Sequence, residues 1–346
     1  MHITVIGAGR MGMAHIETLA SLPGVGELSI ADRDADRARA AVDQIAANRI
    51  PAHATTRARA VPVDAAFADR ADGLVIVAPT SEHADLVIRA IDSGIPVFCE
   101  KPVAENVSRT RLVVERWAGA TVPVQIGFQR RFDPGYVSAR AALQAGDLGS
   151  LRRVHLVTGD PKPPAAEYIP TSGGIFRDCS VHDFDILRWV TGLEVDYVFA
   201  AGVNRGAEFF GAAGDVDEVV AMIGLADGTL ATLQASRYNG AGYDVRMELA
   251  GTTAQITVGL EERTPIRSAE AGVAFPTGKP WPDFQSRFQT AYRREMETFL
   301  DVAAGTVPSP CTPQDALAAL YIAEAADLSR REHRPVMLAE VGGSRP

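Results

Sequence analysis

The stretch "VIGAGRMG", residues 5–12, decides how the first part of the chain is read. It places three glycines in the spacing Gly-x-Gly-x-x-Gly, between a β-rich run and a helical pattern. The first glycine permits a tight turn, the second lets a pyrophosphate approach the backbone, and the third lets helix pack on strand. Free N–H groups at the start of the helix attract phosphate. The motif predicts a dinucleotide site formed by Gly7, Gly9, Arg10, Met11 and Gly12.

The segments around this motif alternate between strands and helices. Short β-rich runs, "ITVIG", "ELSIAD", "GLVIVAP", "IPVFCE" and "VPVQIGF", are separated by helical stretches, one of them over about 84–93. Such alternation predicts βαβ units and a parallel sheet. Residues 33–72, rich in Ala, Arg and Asp, are interpreted as helix and loop. We therefore predict an α/β fold with an N-terminal Rossmann NAD(P)-binding domain over residues 1–122.

After Phe128 the pattern changes to strands that follow one another. The strand-like segments are "RRVHLVTG", "VDYVFAAGV", "DEVVAMIGL", "TLATLQASRY", "YDVRMELAG" and "AQITVG". A run of consecutive strands favours a large, mostly antiparallel open sheet. Helices are expected at about 178–191, 286–304 and 313–330. The second domain, residues 123–346, is thus predicted to be of the α+β type.

The composition excludes several classes of protein. The chain has 346 residues, 47% of them hydrophobic, and a net charge of −9, which gives no basic surface for nucleic acid. Its longest apolar runs are too short to cross a membrane. Three scattered cysteines (Cys99, Cys179, Cys311) fit neither a disulfide framework nor a zinc site. We see no signal peptide before the first strand and expect a cytoplasmic protein with a small-molecule partner.

The residues after the second strand bear on the choice of cofactor. Asp32 ends "ELSIAD", where a carboxylate can accept hydrogen bonds from the adenosine ribose. A 2′-phosphate would meet this negative charge, so Asp32 favours NAD over NADP. Arg33 keeps NADP open, because its guanidinium could accept the phosphate.

Two further loops follow strand ends, "APTSEH" and "CEKP". Ligands of open α/β sheets bind beyond the carboxyl ends of the strands, so both loops should border the nicotinamide. Thr80 or Ser81 is expected to cap the following helix. A lysine near the reacting carbon would stabilise a developing alkoxide, although a simple turn lysine remains an alternative. The cofactor contacts expected from these loops are Pro79, Thr80, His83, Glu100 and Lys101.

The stretch "GGIFRDCSVHDFDILRWVTG", residues 173–192, is the most informative part of the second domain. Asp178 and His182 are four residues apart on one predicted helix face, and Asp185 continues that face. An imidazole beside a carboxylate suits removal of a hydroxyl proton. Two alternatives stay open at this point: an ordinary helix start with a structural histidine, and a metal site formed by the same three residues.

Together these motifs resemble the Gfo/Idh/MocA oxidoreductases, and most closely their inositol 2-dehydrogenases. Besides the glycine motif, "EKP" and the stretch above, the resemblance rests on "GFQRRFDPGY" (127–136), "GDPKPPAAEYIPTSGGIFRD" (159–178) and "GYDVRMELAGT" (242–252). It extends over essentially the whole chain. The resemblance implies NAD-dependent oxidation of a secondary hydroxyl of a cyclic polyol or sugar, with myo-inositol as the expected substrate, in a homo-oligomer that is a dimer or tetramer.

The resemblance also implies roles for particular residues. Lys101 would lie between substrate and nicotinamide, Asp178 would bind and orient the substrate, and His182 would be the general base. Asp160 and Arg130 or Arg131 fall in segments that shape the polyol site. The segment "GKPWPDFQSRFQTAYRREMETF", with Trp281 and Tyr292, resembles the loop and helix that close the pocket.

The chain departs from this family pattern at a few positions. Gly159 stands where the inositol enzymes tend to have Arg, Val245 where they tend to have Gln, and Cys179–Ser180 where Met-Thr is typical. These departures leave the polyol open but not the hydride chemistry. Two other functions share the motifs: an NADP(H)-dependent keto-sugar reductase, and a non-catalytic NAD-sensing regulator on the same fold.

Overall fold

A computed structural model describes residues 1–47, 49–50, 53 and 56–342. The chain divides into two compact units. The first consists of Met1–Gln129 and Thr290–Leu317, and the second of Arg130–Gln289 and Ala318 onward. The predicted domain boundary between residues 122 and 123 stays a prediction. Among the described residues, no helix is both long and apolar enough to span a membrane.

The first unit contains a six-stranded parallel sheet. Its strands are β1 (His2–Ile6), β2 (Glu27–Ala31), β3 (Arg57–Val61), β4 (Gly73–Ile76), β5 (Val97–Glu100) and β6 (Val124–Gly127), in the order β3-β2-β1-β4-β5-β6. This is the Rossmann order, in which the direction of winding reverses between β1 and β4 and leaves a crevice beyond their carboxyl ends. The interpretation of residues 33–72 as helix and loop was wrong at β3.

The helices between these strands are α1 (Arg10–Ser21), α2 (Ala35–Ala46), α3 (Ala65–Ala68), α4 (Thr80–Asp92) and α5 (Val107–Ala118). Side-chain caps fix two of their starts: Asp34 accepts a hydrogen bond from the Asp36 N–H, and Asn106 accepts one from the Arg109 N–H. The expected cap of α4 by Thr80 or Ser81 was wrong, because Pro79 occupies the cap position without a side-chain hydrogen bond.

A buried hydrophobic cluster holds the first unit together. Side chains of β1, β2, β4, β5 and α1 meet helix α11 (Gln289–Ala303), which contributes Met296, Phe299 and Leu300. Phe299 and Phe98 pack with their ring centroids 5.9 Å apart. Burial of this apolar surface explains why residues 290–317, late in the sequence, belong to the first unit.

The second unit is built on a seven-stranded sheet. Its strands are β7 (Leu151–Gly159), β8 (Val195–Val203), β9 (Glu218–Leu225), β10 (Leu230–Ser236), β11 (Asp244–Gly251), β12 (Gln255–Val258) and β13 (Val336–Met337), in the order β12-β11-β7-β10-β9-β8-β13. Neighbours pair antiparallel except for β7 and β10, which are parallel. The predicted mostly antiparallel sheet is confirmed.

The helices of the second unit precede the first strand of this sheet or connect its strands. They are α6 (Pro134–Gln144), α7 (Ile169–Ser172), α8 (Val181–Thr191), α9 (Glu208–Ala212), α10 (Phe284–Arg287) and α12 (Pro313–Glu332), the last of which begins in the first unit. A π-helical turn, Phe176–Ser180, precedes α8, and Gly192 ends that helix in the left-handed conformation. The Ser329 hydroxyl of α12 accepts a hydrogen bond from the Ala200 N–H of β8.

Candidate active site

The glycine turn after β1 has the geometry that a dinucleotide requires. Gly7 has φ of 109°, and a Cβ atom there would lie 2.5 Å from the Val77 carbonyl oxygen. A Cβ at Gly12 would overlap the Gly7 carbonyl. At Gly9 the same atom would meet nothing within 4 Å. A side chain at Gly7 or Gly12 would therefore clash with the protein backbone. The space beside Gly9 is open, and a pyrophosphate could approach the start of α1 there.

Arg10 and Met11 form the first turn of α1 directly beyond Gly9. Arg10 is exposed and Met11 is half-buried. Both residues lie beside the open side of the glycine turn, and their predicted contact with the cofactor stays a prediction.

Asp32 contacts the backbone of the same glycine turn. One carboxylate oxygen accepts a hydrogen bond from the Ala8 N–H at 2.7 Å, and the other accepts one from the Asp34 N–H at 2.8 Å. These contacts hold the carboxylate at the end of β2, next to the crevice. The Arg33 side chain is 81% exposed and donates a hydrogen bond to Glu82 at 3.0 Å. Its charge therefore already has a carboxylate partner at the first turn of α4.

The loop after β4 is tied to the loop after β5 by His83. This side chain is buried, and its two ring nitrogens lie 2.8 Å from the Pro102 carbonyl oxygen and 2.7 Å from that of Ala78. Pro79 and Thr80, at the start of α4, lie between these two contacts in sequence. The ring of His83 thus links two strand ends, and the geometry favours a supporting role over direct contact with the cofactor.

Glu100 and Lys101 end β5 at the same edge of the sheet. One Glu100 carboxylate oxygen lies 2.7 Å from Nε2 of His15 on α1, and the other accepts a hydrogen bond from the Lys101 N–H at 3.2 Å. Glu100 is buried and Lys101 is half-buried. The Lys101–Pro102 peptide bond is cis. The glutamate therefore ties the lysine to the helix that begins at the glycine turn.

In the second unit, Asp178 is held by two side chains. One of its carboxylate oxygens accepts a hydrogen bond from the Tyr168 hydroxyl at 2.9 Å, and the other accepts one from Arg237 at 2.8 Å. Arg237 also lies 3.4 Å from the carboxylate of Asp160. The Cys179 thiol donates to the same Asp160 oxygen at 3.4 Å. The predicted residues Asp160 and Asp178 are thus brought together around one guanidinium.

This cluster is partly shielded from water: Arg237 is 3% and Asp178 13% exposed, whereas Tyr168 is 44% exposed. Burial raises the pKa of Asp160, although Arg237 works in the opposite direction. Burial and the neighbouring Asp178 also raise the pKa of Tyr168, so its hydroxyl keeps its proton and donates it to the aspartate. His182, in the first turn of α8, is half-buried. A carboxylate hydrogen-bonded to a phenol and a guanidinium therefore stands four residues before the predicted general base.

The two acidic residues of α8 belong to buried ion pairs. Asp183 accepts hydrogen bonds from Arg130 and from the Thr158 hydroxyl, the latter at 2.8 Å. Asp185 accepts two hydrogen bonds from Arg131, the longer of them 2.9 Å. Arg130 is therefore occupied by Asp183, which favours a supporting role over direct substrate contact. Asp185 faces Arg131, which weighs against the alternative of a metal site that it would share with Asp178 and His182.

Known proteins match both units of the chain. Residues 1–128 match the oxidoreductase family with the NAD-binding Rossmann fold, and residues 136–257 match the GFO/IDH/MocA C-terminal domain. The chain belongs to the Gfo/Idh/MocA oxidoreductase family. The predicted family, the Rossmann domain and the NAD cofactor are confirmed by this membership.

Relatives match over almost the full length. The myo-inositol dehydrogenase of Streptomyces leeuwenhoekii is 35% identical, over 95% of this chain and 97% of its own. The scyllo-inositol 2-dehydrogenase (NAD⁺) of Bacillus subtilis (strain 168) is 33% identical, over 96% and 95%. The structure of scyllo-inositol dehydrogenase from Lactobacillus casei, with bound NAD(H) and scyllo-inositol, superposes with a TM-score of 0.84 at 25% identity and covers 98% of this chain and 99% of its own.

The departure from the Gfo/Idh/MocA family pattern at Gly159 has a structural explanation. A Cβ at Gly159 would lie 2.9 Å from Cβ of Asn239. The Asn239 N–H donates to the Asp160 carbonyl at 2.6 Å, and its side-chain amide donates to the Gly242 carbonyl at 2.7 Å. Asn239 therefore fills the space beside Asp160 that a side chain at position 159 would need.

The remaining departures lie in packed positions. Val245 is buried in β11, and Cys179 and Ser180 are buried in the π-helical turn. Tyr243 is also buried, and its ring meets that of Phe288 edge to face with centroids 6.4 Å apart. This contact indicates a packing role for Tyr243.

The two residues of the closing segment belong to different units. The Trp281 indole N–H donates to Glu261 at 2.6 Å in the second unit, and the Tyr292 ring meets that of His15 in the first. Each is fixed by contacts within its own unit, and the predicted closing role of the segment stays a prediction.

Sequence reasoning missed Tyr168 and Arg237 as site residues. Tyr168 carried a signal, because it stands in the Pro-rich motif ten residues before Asp178. Arg237 carried none that could be used alone. It follows β10, and only the pairing of β10 with the distant β7 brings it to Asp160.

Proposed function

We propose that this protein is an NAD-dependent dehydrogenase that oxidises a secondary hydroxyl of an inositol, myo-inositol in the first place, to the ketone. The observation that carries the proposal is the Asp178 carboxylate, which is held between Tyr168 and Arg237 four residues before His182. It occurs in a chain that is similar over nearly its whole length to dehydrogenases named for myo- and scyllo-inositol. A carboxylate fixed in this way can accept hydrogen bonds from polyol hydroxyls.

The proposed mechanism divides the work between three side chains. His182 accepts the proton of the hydroxyl that is oxidised, and Asp178 orients the substrate. Lys101 stabilises the negative charge that develops on the oxygen as the proton leaves. The bound NAD⁺ supplies the acceptor for the hydrogen that leaves carbon with its electron pair.

The glycine turn, Asp32 and the loop after β4 are proposed to hold the cofactor. Gly9 would admit the pyrophosphate to the N-terminus of α1, and Asp32 would accept hydrogen bonds from the adenosine ribose. The ion pair of Arg33 with Glu82 supports NAD over NADP, because the guanidinium already has a partner.

The test is NADH formation from NAD⁺ with myo-inositol, scyllo-inositol, pyranoses and small hydroxy acids, repeated with NADP⁺. We expect turnover with an inositol and NAD⁺. The variants Lys101→Ala, Asp178→Ala and His182→Ala should each lose most of the wild-type turnover, about 100-fold or more for the general base. Folded variants that keep wild-type turnover would disprove the mechanism. Turnover only with NADP⁺ and a sugar would replace the inositol assignment.

We also propose that the protein is cytoplasmic and acts as a homo-oligomer, a dimer or tetramer. Large apolar side chains are exposed on one face of the second sheet, among them Phe199, Val220, Met222 and Leu230. Such a face is commonly covered by a partner surface. Light scattering coupled to size exclusion would give the mass in solution, and a mass of 36.8 kDa, that of a single chain, would contradict oligomerisation.

A further inference from the structure

The pairing of β7 with β10 brings Arg237 next to Asp160. β7 and β10 lie side by side and run parallel, with Gly159 opposite Ser236. The carboxyl ends of parallel neighbours lie at the same edge of a sheet. The residue that follows each strand, Asp160 or Arg237, is therefore delivered to the same place. The Asp160 N–H donates to the Ser236 carbonyl at 2.9 Å, which continues the ladder beyond both strands.

The guanidinium of Arg237 is buried between two carboxylates. Its side chain is 3% exposed, with one terminal nitrogen 2.8 Å from Asp178 and the other 3.4 Å from Asp160. Asp178 is on the π-helical turn before α8, whereas Asp160 is on the loop after β7. A single side chain thus connects three segments that are far apart in sequence.

The surroundings explain why a cation is needed here. The titratable side chains that act on this group are Asp160, Tyr168, Asp178 and Cys179. All of them are neutral or negative. Burial works to lower the pKa of Arg237, but Cys179, Asp178 and Asp160 raise it overall. Burial raises the pKa of Asp160, and Arg237 opposes that rise.

We propose that Arg237 is a positioning residue of the substrate site: its guanidinium fixes the orientation of the Asp178 carboxylate and holds Asp160 beside it. The inference rests on the proposed dehydrogenase function and adds to it the group on which Asp178 depends. A guanidinium suits this task because two nitrogens in a rigid fork can serve two carboxylates at once. A lysine would bring one nitrogen and could serve only one of them well.

The first experiment compares Arg237→Lys and Arg237→Gln with the wild type on the inositol that the wild type oxidises. We expect kcat/KM to fall about 100-fold in Arg237→Gln, as for a displaced catalytic group, and less in Arg237→Lys. The dissociation constant for NADH, measured by fluorescence, should not change, since the cofactor residues lie in the first unit. The acid limb of the kcat/KM profile should move to higher pH, because carboxylates without a neighbouring cation take up protons more readily.

Arg188→Gln is the matched control. Arg188 also makes two hydrogen bonds to one carboxylate, that of Glu194, at the opposite end of α8. Its loss should leave kcat/KM and the pH profile near those of the wild type. An equal loss in both variants would mean that any broken ion pair on this helix has the same effect, and it would overturn a specific role for Arg237.

A second measurement does not depend on turnover. With ¹³C-labelled aspartate, the carboxyl signal of Asp160, identified by its absence in Asp160→Asn, is followed against pH. In Arg237→Gln we expect the pKa of Asp160 to be higher than in the wild type, because the opposing cation is gone. An unchanged titration would overturn the inference even if activity fell. If Arg237→Gln does not fold, Arg237→Lys, which keeps Asp160, takes its place in the titration. Arg237→Gln/Asp160→Asn, which removes a carboxylate together with the cation, takes its place in the kinetic comparison.

The two proposals fail in different ways. A wild type that oxidises no inositol, with a shifted Asp160 titration in the Arg237 variant, would contradict the proposed substrate but keep the electrostatic role of Arg237. An active wild type whose Arg237 variants keep activity, pH profile and titration would contradict the role of Arg237 alone.

Discussion

The arginine ion pairs of the segment that carries His182 differ in burial from those of the nucleotide-binding unit. In the nucleotide-binding unit, Arg33 and Arg89 form ion pairs at the surface, with side chains 81% and 44% exposed. In the second unit, Arg130, Arg131 and Arg237 are all 4% exposed or less, and each is paired with an aspartate of the segment that carries His182. The arginine pairs of this comparison are thus exposed in the first unit and buried beside His182 in the second.

The difference reflects what each unit is proposed to bind. A pyrophosphate can be received by backbone N–H groups at a helix start, and this needs glycines and open space rather than buried charge. A polyol offers only hydroxyl groups, which are discriminated by acceptors held at fixed positions. Fixed buried carboxylates need buried cations, since an unpaired charge inside a protein is costly. The second unit therefore depends on ion pairs for both shape and chemistry.

The largest effect is expected from breaking a buried pair. Arg130→Met would leave Asp183 without its cation at a position with no solvent access. We expect a loss of about 3–5 kcal/mol in the free energy of unfolding, because removal of one partner leaves an uncompensated charge. Urea unfolding followed by circular dichroism, at one protein concentration, measures it.

Two comparisons test this expectation. Arg89→Met, which breaks the exposed pair with Asp64, should cost no more than about 1 kcal/mol. Arg130→Met/Asp183→Asn removes both charges and should recover part of the loss. A single variant no less stable than Arg89→Met would contradict the contrast between the two units.

The next effect concerns the open space at the glycine turn. In Gly9→Ala the added Cβ meets no protein atom within 4 Å, and the backbone φ of −76° suits any residue. Stability should therefore stay the same, whereas NADH binding should weaken about tenfold, or ~1.4 kcal/mol, because the methyl group occupies the approach of the pyrophosphate. Fluorescence titration with NADH and a thermal melt separate the two quantities.

Gly119→Ala is the control for this variant, since its Cβ also meets nothing within 4 Å but lies at the end of α5. Neither binding nor stability should change there. Gly12→Ala should instead lose stability, because its Cβ would overlap the Gly7 carbonyl. If Gly9→Ala binds NADH as tightly as the wild type, the pyrophosphate does not pass at Gly9.

The contrast also explains which features the sequence predicted. The first sheet follows from apolar runs and the glycine motif, because a buried parallel strand must be apolar along its length. Strand β3, "RARAV", was not predicted because it has no such apolar pattern. It lies at the sheet edge, and all of its residues are exposed or half-buried. Its strand conformation comes from pairing with β2, which sequence alone does not display.

The same limit of sequence-based prediction applies to the candidate site residues of the second unit. Asp178 and His182 belong to one short motif and could be named from it. Their supports could not, since Arg237 and Thr158 reach Asp178 and Asp183 only through the arrangement of the second sheet. Residues that are brought together by the pairing of distant strands have no characteristic spacing in the sequence. Predicting them requires the strand order, and the parallel pair β7 and β10 lies within a sheet whose other neighbours are antiparallel.

The smallest effect is expected at the surface pair beside the adenosine site. Arg33 follows Asp32 directly, and its guanidinium is 3.0 Å from Glu82. In Glu82→Gln the guanidinium loses its carboxylate partner and can attract a 2′-phosphate. We expect the ratio of kcat/KM for NADP⁺ to that for NAD⁺ to rise about threefold, in keeping with the ~0–1 kcal/mol of an exposed pair. Asp32 remains, so NAD⁺ stays the better cofactor.

Glu27→Gln provides the control, because Glu27 pairs with Arg59 at the other end of β2 from Asp32. The cofactor ratio of this variant should equal that of the wild type. The effect of Glu82→Gln should also shrink at high salt, since an exposed charge acts through solvent that screens it. A ratio that does not change at low salt would mean that Arg33 has no access to the 2′ position, and cofactor choice would then rest on Asp32 alone.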